Sequence, residues 1–358
     1  MKLYEELGVT PVLNAAGPVT RYGGSVLSER VLAAMAEATR SFVRLDELQL
    51  AAGRKLAEWT GAEAGYVTTG AAAGLTLGAA AILAGSDVVR MEKLPDTSGM
   101  PNRFILQRVH LSDYDCAIRA SGARLLPIDC EEDWPPERVA EEVGKAAREG
   151  ACGAVYVFRT GDRGMPLEVW VQACHRFGLP VLVDASVRLP PVDNLRRIPG
   201  SGADLVAFSG GKAIQGPQNT GFLVGRRDLI ESVLLQNQDM DVNAETWFLR
   251  KWIEEGRISR PPRNGIGRGF KVSKEGVIGL LVALEEYLAR DHKADLMAWR
   301  RRVDEVCLGL RDLQACRVER AMQPGGSYPV PAAVLRLTEK SRLTLSEFVN
   351  ACARLPRP

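Results

Sequence analysis

The sequence predicts an α/β fold: a mainly parallel sheet with helices covering both faces. Three observations predict it. Strand-like runs alternate with helix-like runs through the centre of the chain. The strand candidates are nearly continuous in apolar residues, as strands buried on both faces must be. The length of 358 residues, 46% of them hydrophobic, suffices for one large domain and a smaller one.

In chain order, residues 65–69 read as a short β-prone strand followed by glycine, and 71–83 as an alanine-rich helix. Residues 87–91 and 103–107 read as strands, 114–121 as a helix and 124–128 as a strand. Residues 136–149 read as a helix whose charges face away from Val139 and Val143. A strand at 153–158, a helix at 167–177 and a strand at 181–183 ending in Asp184 follow. Strands at 204–208 and 220–224 flank a glycine-rich turn. From 237 to 265 charged, aromatic and proline residues mix without a period, which marks an excursion from the core. Helical patterning resumes over 272–289, then a helix at 299–313 and a strand at 332–337 suggest a smaller α+β unit. The chain therefore divides into an N-terminal segment 1–45, a large domain 46–285 and a small C-terminal domain 286–358. That last domain reads as short, ending at Leu355-Pro356-Arg357-Pro358.

Composition excludes several classes. The 46 basic and 44 acidic residues are interspersed and give a net charge of +2, so electrostatics offers no argument for a nucleic-acid partner. The start, MKLYEELG, lacks the basic-then-apolar pattern of a secretory leader, and apolar windows fall well short of the ~20 residues that span a bilayer. A soluble cytoplasmic protein is expected, with no membrane partner. The seven cysteines form no C-x-x-C pair and read as small buried hydrophobes in a reducing compartment. His110, His175 and His292 are far apart, and no metal site is expected.

Three motifs carry chemistry. In the first, an apolar strand delivers Ser209-Gly210-Gly211-Lys212, followed by Gly216-Pro217-Gln218-Asn219-Thr220-Gly221. Glycines let backbone approach a bulky ligand, a lysine there can form a Schiff base with an aldehyde, and a serine can bond phosphate. An ordinary turn with an exposed lysine fits the same residues. The second is Asp184 closing an apolar strand, with Ala185 and Ser186 after it. A buried carboxylate there can hold a proton on a pyridine nitrogen, although a helix cap or a metal ligand would look alike. The third, Thr68 to Gly74, joins a strand to a helix and offers free N–H groups to an anion. It lacks the P-loop lysine and does not fit G-x-G-x-x-G. Gly265-Ile266-Gly267-Arg268-Gly269 fails as a dinucleotide fingerprint too, because no parallel unit follows it.

Together these meet three needs of one cofactor, in the chain order of the fold-type-I pyridoxal 5′-phosphate enzymes. The chain resembles their selenocysteine-synthase-like branch, which includes D-glucosaminate-6-phosphate ammonia-lyase and L-seryl-tRNA(Sec) selenium transferase. The matching stretches include Asn14 to Gly17, Thr20 to Gly24, Gly70 to Gly74, Leu94 to Thr97, Gln107-Arg108 with His110, Tyr114-Asp115, Leu189 to Pro191, Ser209 to Lys212 and Gly265 to Lys271. They run from residue 5 to about 290, and the lysine motif with its Gly-Pro-Gln is the most specific.

The resemblance implies a fold-type-I architecture, pyridoxal 5′-phosphate as cofactor and at least a homodimer. It makes Lys212 the Schiff-base lysine, pairs Asp184 with the pyridine nitrogen, and assigns Gly70, Ala71, Ala72, Ser186 and Ser209 to the cofactor. His110 would stack on the cofactor ring or act as acid or base; a structural loop histidine is the alternative. Arg268 and Lys271 would bind an anionic substrate or the neighbouring subunit's phosphate, or are simply solvated charges. Trp247-Phe248-Leu249 with Trp252 lie outside the core pattern and suggest an interface.

The chain departs from the pattern at Gln215, where relatives carry Arg, at Val187 and Arg188, and in an apparent insertion over 239–263. The expected reaction is a lyase reaction on a small amino acid or amino sugar acid: α-proton abstraction and β-elimination to a 2-oxo acid and ammonia. A racemase, epimerase or aminotransferase uses the same residues, and a catalytically inactive binding protein is a further alternative.

Overall fold

A computed structural model describes residues 2–158, 163–237, 243–322 and 330–354. The start of the apparent insertion, 239–242, and the last residues, 355–358, lie outside the described residues.

Seven strands form the main sheet: β1 (Ala64–Thr68), β2 (Arg103–Gln107), β3 (Arg124–Ile128), β4 (Ala151–Val157), β5 (Val181–Asp184), β6 (Leu205–Ser209) and β7 (Gly221–Gly225). Their order is β1-β7-β6-β5-β4-β2-β3. The pairs β2–β3, β2–β4, β4–β5 and β5–β6 are parallel, whereas β7 runs antiparallel to both β6 and β1. Six strands therefore end on one edge. The expected α/β class holds, with one reversed strand that periodicity does not reveal.

Successive side chains of a strand point to opposite faces, and each face has its own core. Val67, Ile105, Val183, Val206 and Phe222 pack with the helices Leu45–Thr60, Pro136–Arg148, Leu167–His175 and Lys274–Ala289. Tyr66, Phe104, Val155, Leu182, Leu205 and Leu223 pack instead with Gly70–Ala84 and Arg227–Gln236. Beyond the sheet, His292–Leu310 packs on an antiparallel pair, β8 (Cys316–Met322) and β9 (Pro331–Leu337).

Three expectations are corrected. Residues 87–91 are not a strand: Val88–Lys93 is a helix, because the Asp87 carboxylate accepts from the N–H groups of Val89 and Arg90. Its buried residues, Val88 and Met91, are three apart, a helical spacing. Trp247 and Leu249 are not interface residues, since they are 3% and 6% exposed in the core beneath Arg227–Gln236. Of the cysteines only Cys130 and Cys174 are buried; Cys116 and Cys352 are exposed. Among the described residues, no helix is long and apolar enough to cross a membrane.

At the edge where the parallel strands begin, Asp204 is 4% exposed and collects three donors. Val181 N–H and His175 Nε2 reach Oδ2 at 2.7 and 2.8 Å, and the Arg226 guanidinium reaches Oδ1 at 2.8 Å. Removing a buried acceptor strands its donors. Asp204→Ala is expected to cost about 2–4 kcal/mol, read from urea unfolding. An unchanged unfolding midpoint would show that water replaces the carboxylate without penalty.

Candidate active site

The opposite edge gathers the residues that sequence singled out. Asp184 ends β5 and pairs in register with Ala207 of β6, while Val157 of β4 pairs with Asp184. Ser209 ends β6 opposite Gly221, and Thr68 ends β1 opposite Gly221 from the other side. Ser209, Gly221 and Thr68 thus stand side by side across three strands, with Asp184 on β5 in line with Ala207, two residues before Ser209.

The lysine turn leaves β6 and is closed by its own backbone. Gly210 N–H donates to Thr220 O at 2.9 Å, Gly216 N–H to Gly210 O at 2.9 Å, and Gln215 N–H to Lys212 O at 3.0 Å. Gly211 lies so close to Gln218 that a Cβ would stand 2.6 Å from its Cα, so only glycine fits. Burial pushes the Lys212 amine below the ordinary lysine range, and the nearby charge of Asp184 opposes that shift. The two residues follow adjacent strands, Asp184 closing β5 and Lys212 lying three residues past the end of β6.

Asp184 is 7% exposed. Its Oδ1 accepts from Ser186 N–H at 2.9 Å, and among the described residues Oδ2 has no donor. Ser186 thus acts on the carboxylate through its backbone.

At the start of Gly70–Ala84, Thr69 provides no side-chain cap; its hydroxyl donates instead to Phe270 O at 3.1 Å. The first N–H groups, those of Gly70, Ala71 and Ala72, keep the positive end of the helix uncapped. Gly221 brings β7 against this turn, where a Cβ would stand 2.6 Å from Gly70 C and 2.7 Å from Ala71 N. An uncapped helix start, a desolvated amine and a carboxylate on a buried residue whose Oδ2 accepts from no described residue fit a phosphorylated pyridine aldehyde, which needs one of each.

His110 follows β2 and is 1% exposed. Its Nε2 lies 3.1 Å from Arg163 O, its Nδ1 lies 3.5 Å from Val157 N, and its ring meets Tyr156 edge-on at 4.5 Å. A neutral ring protonated on Nε2 satisfies both contacts. That arrangement sets His110 against β4, the strand beside Asp184.

Arg268 and Lys271 are tied to the helix start through the Thr69–Phe270 bond, yet they face a different space. With Arg44, Asp46, Tyr66 and Phe248 they line a cavity of about 520 Å³ that does not include Lys212. Phe248 comes from the apparent insertion. That segment is held by Glu92, whose carboxylate accepts from Arg260 Nη2 at 2.7 Å and from Arg263 N–H at 2.7 Å.

The Arg260 guanidinium holds the Glu92 carboxyl at about 2, against 4.5 when unfolded. A depressed carboxylate contributes stability that is complete above its unfolded pKa and is lost as pH falls through the folded value. Docking of this segment should weaken between about pH 4.5 and 2, and Glu92→Gln should remove that dependence. Proteolysis near Arg257 and Arg260 across that range, with an acid-active protease, checks it; identical profiles for both proteins would refute it.

Sequence reasoning missed Ser25. Its hydroxyl donates to Lys212 O at 2.9 Å and to Gly211 O at 3.2 Å. The adjoining Gly23-Gly24 was the available signal.

No family model matches the chain. Among curated proteins it is 35% identical, over 80% of its length, to a 5′-C-glycyluridine monooxygenase-decarboxylase from Streptomyces sp, of which the match covers 65%. It is 32% identical, over 80% of its length, to D-glucosaminate-6-phosphate ammonia lyase of Salmonella typhimurium, covering 70% of that protein. An L-seryl-tRNA(Sec) selenium transferase of Methylocella silvestris is 30% identical over 62% of this chain and 50% of its own length. Among solved structures, a D-glucosaminate-6-phosphate ammonia-lyase superposes with a TM-score of 0.74 at 26% identity, over 94% of this chain and 83% of the other.

Proposed function

The chain belongs to the D-glucosaminate-6-phosphate ammonia lyase family, within the selenocysteine-synthase-like fold-type-I pyridoxal 5′-phosphate enzymes, and from that premise we propose that it is a lyase releasing ammonia from an amino sugar acid or comparable small amino acid. The observation that supports this reading is the desolvated Lys212 amine beside the buried Asp184 carboxylate, at the strand edge that also carries an uncapped helix start.

Pyridoxal 5′-phosphate, when bound, supplies an electron sink for the charge left when an α-proton is removed. Lys212 would hold it covalently. Asp184 would keep a proton on the pyridine nitrogen by direct charge pairing. The Gly70, Ala71 and Ala72 amides with the Ser209 hydroxyl would hold its phosphate. Burial lowers the proton affinity of the Lys212 amine, and that amine, when not bound to the cofactor, would be the group placed to accept the substrate's α-proton. The proton taken from Cα would be returned by Lys212 to the departing β-hydroxyl, so that water is lost overall and hydrolysis of the released enamine would give a 2-oxo acid and ammonia. His110 would serve by position, set against β4 beside Asp184. Arg268 and Lys271, which line the cavity that does not include Lys212, would supply charge to an anionic group of a second subunit or of a substrate that reaches that cavity.

By their names, one relative above 30% identity acts on a phosphorylated amino sugar acid and the other on a glycyl group carried by uridine, and this supports an amino-acid centre on a carbohydrate frame as the substrate class. The 35% identity to a monooxygenase-decarboxylase favours a second reading: oxidative loss of the carboxylate. One experiment separates them. The purified protein is given a panel of L- and D-amino acids and amino sugar acids while ammonia, 2-oxo acid, carbon dioxide, oxygen uptake and deuterium exchange at Cα are followed. Equimolar ammonia and 2-oxo acid is the expected result. Oxygen uptake matched by carbon dioxide would establish the second reading, and exchange without ammonia would point to a racemase.

Assembly belongs to the same proposal. Leu13, Val26 and Phe42 are 79%, 91% and 104% exposed in the single chain, apolar area that a second copy would cover. A homodimer is expected in sedimentation, and Phe42→Ser should weaken it. A fully active monomer would refute this.

A further inference from the structure

We propose that Ser25 is a positioning residue that fixes the Lys212 turn from the N-terminal segment. Among the described residues, the Lys212 side chain makes no hydrogen bond or ion pair of its own. Its direction must therefore come from the backbone that carries it. That backbone presents one carbonyl, Lys212 O, and two donors converge on it. Ser25 Oγ donates from 2.9 Å and Gln215 N–H from 3.0 Å. Ser25 also reaches Gly211 O at 3.2 Å, so a single hydroxyl spans the two peptide units that set the lysine's direction.

Both sides of this arrangement are built for it. Gln215 is the only non-glycine among the described residues with a left-handed backbone, φ 61°, a conformation that persists only where neighbours hold it. Its side chain accepts from Arg290 Nη2 at 3.0 Å. On the other side, Gly24 lies so close to the turn that a Cβ would stand 3.1 Å from Gly211 O, and its φ is 77°. Gln218 Nε2 donates to Thr20 O at 3.0 Å, a second tether that does not touch Lys212. Ser25 and Gln218 therefore separate two roles: holding the segment in place, and holding the lysine through it.

The role of Lys212 rests on the proposed function, whereas the contact does not, so the test has two arms. In the cofactor-free protein, amide hydrogen exchange is compared for wild type, Ser25→Ala, Ser25→Thr and Gln218→Ala. Ser25→Ala is expected to speed exchange across 209–217 by about tenfold, the loss of roughly 1.4 kcal/mol of local protection. Ser25→Thr keeps the hydroxyl and should stay near wild type. Gln218→Ala should loosen 14–30 and leave 209–217 little changed. In the loaded protein, the pH midpoint of the cofactor's visible band should move by half a unit or more in Ser25→Ala and be restored in Ser25→Thr. Exchange that rises only within 14–30 in Ser25→Ala would overturn the proposal and leave Ser25 as a plain tether. Exchange across 209–217 that rises as much in Ser25→Thr would overturn it equally. If the wild-type protein shows no such band, the cofactor reading fails, and the exchange arm still decides the role of Ser25.

Discussion

Lys212→Ala is expected to abolish covalent attachment of the cofactor and lower turnover by about 10⁴-fold or more, the scale seen when a covalent group is removed from a site that otherwise stays intact. The fold should survive, because the bonds that close the lysine turn, from Gly210, Gly216, Gln215 and Ser25, do not use the lysine side chain. The cofactor-free variant should also be the more stable protein at neutral pH. Burial lowers the folded pKa of Lys212, so between that value and the unfolded 10.5 the unfolded chain binds more protons. Stability of the wild type therefore rises with pH through that window, and the variant should lose this slope. Thermal unfolding of both cofactor-free proteins at several pH values reads the slope, and borohydride trapping with peptide mapping reads the attachment. A pyridoxyl group found on Lys271 or any other lysine would sink the assignment.

The large features were legible because each has a cause within a few residues. Strands such as Val181–Asp184 and Leu205–Ser209 are apolar runs bounded by polar or glycine residues, and Lys212 and Asp184 are residue types whose chemistry suggests a task. What was hidden needed contacts remote in sequence. The reversed direction of β7 follows from which strands flank it, not from its own residues. β8 carries Arg317, Glu319 and Arg320 in a strand too charged to stand out by hydrophobicity. Val88–Lys93 has β-branched residues at its start, and only the cap supplied by Asp87 decides for helix. Trp247 and Leu249 looked surplus to the core until the helix Arg227–Gln236, unread in the sequence, gave them a surface to pack on. Ser25 is the clearest case: a serine is generic, and its partner lies 187 residues away.

Asp184→Asn is expected to bind cofactor and lose turnover by roughly 10²–10³-fold, the size of removing one preorganised charge from a site. The change is nearly isosteric. An amide oxygen can still accept from Ser186 N–H, as Oδ1 does at 2.9 Å, so β5 and its turn should hold their shape. What disappears is the negative charge at a position 7% exposed, where little water can stand in for it. A carboxylate favours the protonated ring nitrogen and an amide does not, so the electron sink weakens while binding through the helix start and Lys212 persists. The same charge opposes the effect of burial on Lys212, so its loss should lower the lysine's proton affinity further. Two shifts are therefore expected together: a fall in kcat with little change in KM, and an acid-ward move of the pH midpoint of the cofactor's visible band. Near-normal turnover would assign the nitrogen partner to another residue. Lost turnover with an unmoved midpoint would place Asp184 too far from Lys212 for the charge pairing inferred between them.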